Sequence, residues 1–201
     1  MMSHAFSRMA GRIAALFVVA FGLAACGINT VPTQDEQVKA AWSEVLNQYQ
    51  RRADLIPNLV NTVKGYAKQE ETVLKEVTEA RAHATQMTLP ADILSNPQAF
   101  HQFEQNQAAL GGALGRLLAV SENYPDLKSN QNFLALQSQL EGTENRISVA
   151  RRDYIEAVRG YNLSLKTFPS LLWAATIFRG NKPLAEFAAN ESAQTPPQVK
   201  F

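Results

Sequence analysis

The only cysteine of this 201-residue chain, Cys26, is its strongest nucleophile, and it closes an apolar run instead of sitting beside a histidine. A thiol without a neighbouring base is poorly placed for catalysis but open to acylation. The other reactive side chains are scattered. His4 falls in the N-terminal run, leaving His83 and His101, and neither belongs to a His-Glu-x-x-His motif. Glu79 and His83 are four residues apart, so the Glu-x-x-His pair of di-iron bundles is missing too. There is no Gly-x-Ser-x-Gly elbow to expose a serine. Glu70, Glu71, Glu76 and Glu79 read as a solvated helix face and not as an acid/base pair. The sequence therefore predicts no catalytic residue, no metal and no cofactor.

What surrounds the thiol reads as an address. Arg8 and Arg12 form a basic start, Ile13 to Ala25 is uncharged and apolar, and Ala24 and Ala25 are small enough for a signal peptidase. Thirteen residues fall short of the roughly 17–25 needed to cross a bilayer as a helix. Leu23-Ala24-Ala25-Cys26 resembles the bacterial lipobox, in which the thiol is lipidated and the chain is cut before it. Residues 1–25 are then a lipoprotein signal peptide, 26–34 a tether, and Cys26 the lipidation site. The alternative is an uncleaved anchor over Ile13 to Val31, which Gly27, Asn29, Thr30 and Pro32 disfavour. Acylation also accounts for an unpaired thiol in an oxidising compartment. Each buried lipid CH₂ adds about 0.8 kcal/mol, so several chains hold what one holds only marginally.

Cleavage before Cys26 removes two of the 19 basic residues and none of the 18 acidic ones. A near-neutral domain without clustered Lys and Arg is not expected to bind nucleic acid. Gly27 stands where an aspartate commonly retains lipoproteins at the inner membrane. The expected location is thus the cell envelope, facing the periplasm or exterior, with the outer membrane favoured where a cell has two.

The elements that would carry any site are helices. Phe133, Leu140, Ile147, Tyr154, Tyr161 and Phe168 recur every seven residues, with Leu136, Thr143, Ala150, Ala157 and Ser164 on the complementary seam. Such a repeat calls for long antiparallel neighbours at shallow crossings. The first half follows the same rule through Val38, Trp42, Val45, Tyr49, Ile56, Leu59, Val63, Tyr66, Val73, Val77, Ala80 and Ala84, broken only by Arg52 and Glu70. Pro57 falls inside this row. Either the chain reverses near Arg52 to Asp54, with Asp54 as an N-cap and Pro57 in the first turn, or one helix kinks there. The cap signal makes the reversal the expectation. Ser95 or Asn96, followed by Pro97, starts a third helix from about Gln98 to Ser121, whose Gly111, Gly112 and Gly115 suit a close approach to a neighbouring helix. Ser129 or Asn130 caps the last long helix, which Phe168-Pro169 ends. Leu171 to Phe178 is a short cap on the bundle, and the chain from residue 180 is a flexible tail. The predicted fold is all-α: an elongated antiparallel up-and-down helical bundle over residues 35–179, with four long helices, the first two possible as one Pro-kinked helix.

Two runs of residues resemble a known family. Ala41-Trp42-Ser43, Arg51 to Val60 and Val63 to Ala67 are similar to the first signature of the LemA family. Glu122 to Lys128, Asn132 to Leu134, Thr143 to Ile147, Ala150-Arg151, Tyr161-Asn162 and Phe168-Pro169 follow in that family's order. The resemblance implies an outward-facing, envelope-anchored helical bundle with no established catalysis. Family members commonly start with a transmembrane helix, and this chain departs from them in its lipidation motif. The resemblance also picks out Arg52, Asp54, Asn58, Asn123, Asn132, Glu144, Asn145, Arg146 and Asn162 as interaction or structural polar residues. Arg52 or Arg146 is expected to pair with Glu70 or Glu144 between helices. The expected partners are a membrane, through the lipid, and an envelope protein; a ligand or hydrolytic site around Glu144 and Arg146 is the rival reading.

Overall fold

The computed structural model describes residues 27–188, and every regular element among them is helical. The helices are α1 (Thr30–Tyr66), α2 (Glu71–Gln86), α3 (Pro97–Ser121), α4 (Pro125–Lys128), α5 (Gln131–Ser164) and α6 (Ser170–Thr176), with a 3₁₀ turn at Ile93–Ser95. The long ones make an antiparallel bundle in which α1 lies along α5, and α2 and α3 pack together beside them. The 37 residues of α1 give a rod about 55 Å long. No helix among the described residues is long and apolar enough to cross a membrane.

The heptad row is the core of α5. Phe133, Leu140, Ile147, Tyr154 and Tyr161 are buried, with Thr143, Ala150 and Ser164 buried on the seam. The row ends one step earlier than expected, because α5 stops at Ser164 and Phe168 lies beyond it, 75% exposed. Asn130 caps α5 by accepting from Phe133 N (3.0 Å), and Asn96 caps α3 by accepting from Ala99 N (3.2 Å).

The expected reversal at Arg52 to Asp54 does not occur. Helix α1 runs through Pro57, Asp54 caps nothing, and the chain turns at Ala67–Glu70 instead. A proline at 57 deprives the carbonyl of Ala53, four residues back, of its intrahelical donor. Arg81 of α2 supplies the missing donor, with Nε 2.8 Å from Ala53 O. The tether is also shorter than expected: Thr30 already starts α1, and Val31 is fully buried. The glycines of α3 do not mark a close helix contact either. A Cβ on Gly115 would meet nothing within 4 Å, and one on Gly111 would find only Arg52 Nη1 at 3.8 Å.

Helix α2 has 16 residues, less than half the length of α1. It covers the distal half of the rod, where Ile56, Leu59, Val63, Val77, Leu110, Leu117 and Leu140 make one aliphatic core. In the proximal half its place is taken by the loop before α3 and by the C-terminal segment. Residues 181–188 pack back on the bundle and so depart from the tail expected from residue 180. Phe187 enters an aromatic core with Trp42, Phe100 and Tyr154, at ring separations of 5.0–6.3 Å. Asn162 holds this strap by both backbone groups of Leu184, accepting from its N at 2.8 Å and donating to its O at 3.0 Å. Tyr154 OH donates to Ala185 O, and Ala185 N donates to Leu94 O.

Candidate functional site

Between the aromatic and aliphatic cores lies a buried cation. Arg52 occupies a core position of α1, and its 3% exposure keeps water from its guanidinium. Burying an unpaired charge costs far more than a helix can supply, so partners are required. Nη2 donates to Gln107 Oε1 at 2.7 Å and to Gln107 O at 3.1 Å. Nη1 donates to Glu144 Oε1 at 3.1 Å, and the guanidinium stands 5.0 Å from the Tyr49 ring centroid. The Nε hydrogen is buried without a partner. Three helices, α1, α3 and α5, are thereby joined through one side chain.

Glu144 is not sealed in: its side chain is 43% exposed, so one end of the pair is wet. Burial pushes the Tyr49 hydroxyl above its ordinary pKa, against the opposing pull of Arg151 and Arg52. Beside the cluster, a cleft of about 300 Å³ opens between α1, the end of α2 and α3, lined by Tyr49, Gln50, Thr85, Met87 and Gln107 among others. Neither Glu144 nor Arg146 lines it. Among the described residues, no group of three His, Cys, Asp or Glu side chains is arranged to hold a metal ion.

The structure brings together only Arg52 and Glu144 from the polar residues singled out in the sequence. Asp54 and Asn58 lie exposed on α1, Asp54 accepting from Gln50 Nε2 at 2.7 Å. Asn123 and Asn132 are exposed at the distal end, Asn145 and Arg146 are exposed on α5, and Asn162 clasps the strap at the proximal end. Glu70 accepts from Tyr124 OH and not from an arginine. Cys26 and the export segment lie outside the described residues. Gln107 and Arg81 went unread in the sequence. Gln107 carried a signal, since it falls on the buried row of Phe100, Phe103, Leu110 and Leu114, where a polar side chain needs a partner.

An antiparallel rod that spends its buried charge on joining its own helices is, by fold and by site, a helical-bundle protein held together around an internal ion pair. The chain belongs to the LemA family, whose model matches residues 41–201. Two magnetosome proteins of Paramagnetospirillum magneticum, MamQ 1 and MamQ 2, are each 27% identical to it, covering 93% of this chain and 75% of their own length. MamQ of Magnetospirillum gryphiswaldense is 24% identical over 83% of this chain and 66% of its own.

Proposed function

We propose that this chain is a non-enzymatic envelope lipoprotein, anchored through Cys26, whose rigid bundle serves as a scaffold or regulatory module for envelope protein partners. The observation that supports it most is the rod itself. Two helices of 37 and 34 residues pack along each other, locked at mid-length by Arg52, and the first described residue, Gly27, lies at one end. Such a body holds a partner at a fixed distance from a membrane. The relatives support the same reading, being named for the magnetosome and not for a reaction. The proposed location faces the periplasm or exterior, at the outer membrane where a cell has two.

Labelling with a radioactive fatty acid, in wild type and Cys26→Ser, followed by membrane fractionation, tests the anchor. Label on the wild type and none on the variant is expected; equal label on both overturns it. Photocrosslinking in intact cells from exposed α1 and α5 positions is expected to trap one reproducible protein, and failure at every position overturns the scaffold role.

A further inference from the structure

The proximal end of the rod carries an unusual surface. Leu163, Phe168, Leu171, Leu172 and Ile177 are between 42% and 75% exposed, in the stretch where α5 ends and α6 begins. Single exposed apolar residues need no explanation, but five within fifteen positions do. The first described residue lies at the same end. Gly27 packs on Pro169 so closely that a Cβ there would lie 3.0 Å from its Cγ. Gly27, the residue bonded to the proposed lipid site, thus lies beside the start of α6.

Cations predominate at this end, with the exposed Glu186 just beyond it in the chain. From Gly160 to Ala185 the charged side chains are Lys166, Arg179 and Lys182, all exposed, and from Gly27 to Gln34 there are none. The first acids along α1, Asp35 and Glu36, are both tied to Lys39, at 2.8 and 2.7 Å. Exposed apolar side chains interspersed in the chain with exposed cations match an anionic bilayer surface, in which Phe and Leu enter the acyl boundary and Lys and Arg stay at the headgroups.

We propose that the α5–α6 end is a second membrane contact, a docking surface for anionic phospholipid that seats the rod on the bilayer beside its lipid anchor. The inference rests on the anchored reading above and adds a defined orientation to it. One lipid chain tethers without fixing an angle, whereas an apolar end seated at the surface stands α1 away from the membrane. The far end, with Tyr66, Asn123 and Asn132, is then held up to about 55 Å out.

The test uses the full-length chain in vesicles of phosphatidylcholine and phosphatidylglycerol that contain a phospholipid with a photoactivatable acyl chain. Flotation reads membrane attachment, and mass spectrometry reads which peptides are labelled. Label on residues 163–178 is expected, lost about tenfold in Phe168→Ser/Leu172→Ser while the variant still floats and keeps its helical circular dichroism. Lys166→Gln is expected to lower that label on the order of fivefold in anionic vesicles, since one cation near such a surface is worth about 1 kcal/mol, and to have little effect in phosphatidylcholine alone. A chain that floats with no label on residues 163–178 overturns the docking surface and leaves the anchor standing. So does a crosslink from 163–178 to a second copy. A chain that fails to float overturns both.

Discussion

Pro57 and Arg81 form a coupled pair, and their coupling has a size that follows from the geometry. Helix α1 continues through Pro57 because Arg81 Nε donates to the Ala53 carbonyl that the proline leaves free. Ala53 is 2% exposed, so water is a poor substitute. Arg81→Met keeps most of the side chain's packing and removes the donor. In the Pro57 background it orphans a buried acceptor and loses a charge-assisted bond, an expected cost of about 1.5–3 kcal/mol. In a Pro57→Ala background the amide of residue 57 can bond Ala53 O within the helix, and the cost of Arg81→Met is expected to fall to about 0.5 kcal/mol. A double-mutant cycle by urea denaturation therefore gives a coupling of about 1–2.5 kcal/mol. Urea m-values that stay constant across the four proteins keep the comparison valid. If Arg81→Met costs the same in both backgrounds, Arg81 does not rescue the proline-broken ladder and the account of α1 is wrong.

Four further outcomes are expected. Gln107→Leu should destabilise more than Glu144→Gln in chemical denaturation, about 2 against about 1 kcal/mol, because Gln107 is buried beside Arg52 while Glu144 is 43% exposed. Gly115→Ala should stabilise by about 1 kcal/mol, since an added Cβ meets nothing within 4 Å and the helix gains propensity; a loss of melting temperature would refute this. Phe187→Ala should cost about 3 kcal/mol and expose the amides of Leu184 and Ala185 to hydrogen exchange before the rest of the bundle. Above pH 10 stability should fall, because burial raises the folded-state pKa of Tyr49 and Tyr154 above the unfolded value of about 10. Their stabilising protonation is complete below that value and is lost as pH climbs toward the folded pKa, at up to about 1.4 kcal/mol per pH unit for each tyrosine.

The sequence was legible where one period governed. The α5 row from Phe133 to Tyr161 read directly, and the caps read to within one residue, as Ser95 or Asn96 and Ser129 or Asn130, because local spacing and a short polar side chain before an amide decide them. The path at Pro57 did not, since the donor that rescues it comes from Arg81 on another helix, and no local signal carries that. The true turn was announced only faintly, by Glu70 breaking the apolar row. Half of the central pair was legible: Arg52 interrupts a core row and so needed an acid, but Glu144 and Glu70 were equal candidates until the fold placed them. Phe187 was hidden by its surroundings, a single large apolar residue in a Pro-containing polar tail whose burial depends on α2 being short.

That shortness has a consequence for assembly. Ribosomes deliver the chain from its N-terminus, and the aliphatic half can close as soon as Leu140 is available. The aromatic half cannot, for Trp42 must wait until Phe187, well over a hundred residues further along the chain, comes back to meet it. A truncated product would therefore present a finished half with an open, greasy flank, the kind of surface that chaperones and proteases recognise. The strap makes synthesis as far as Phe187 a condition of sealing the fold.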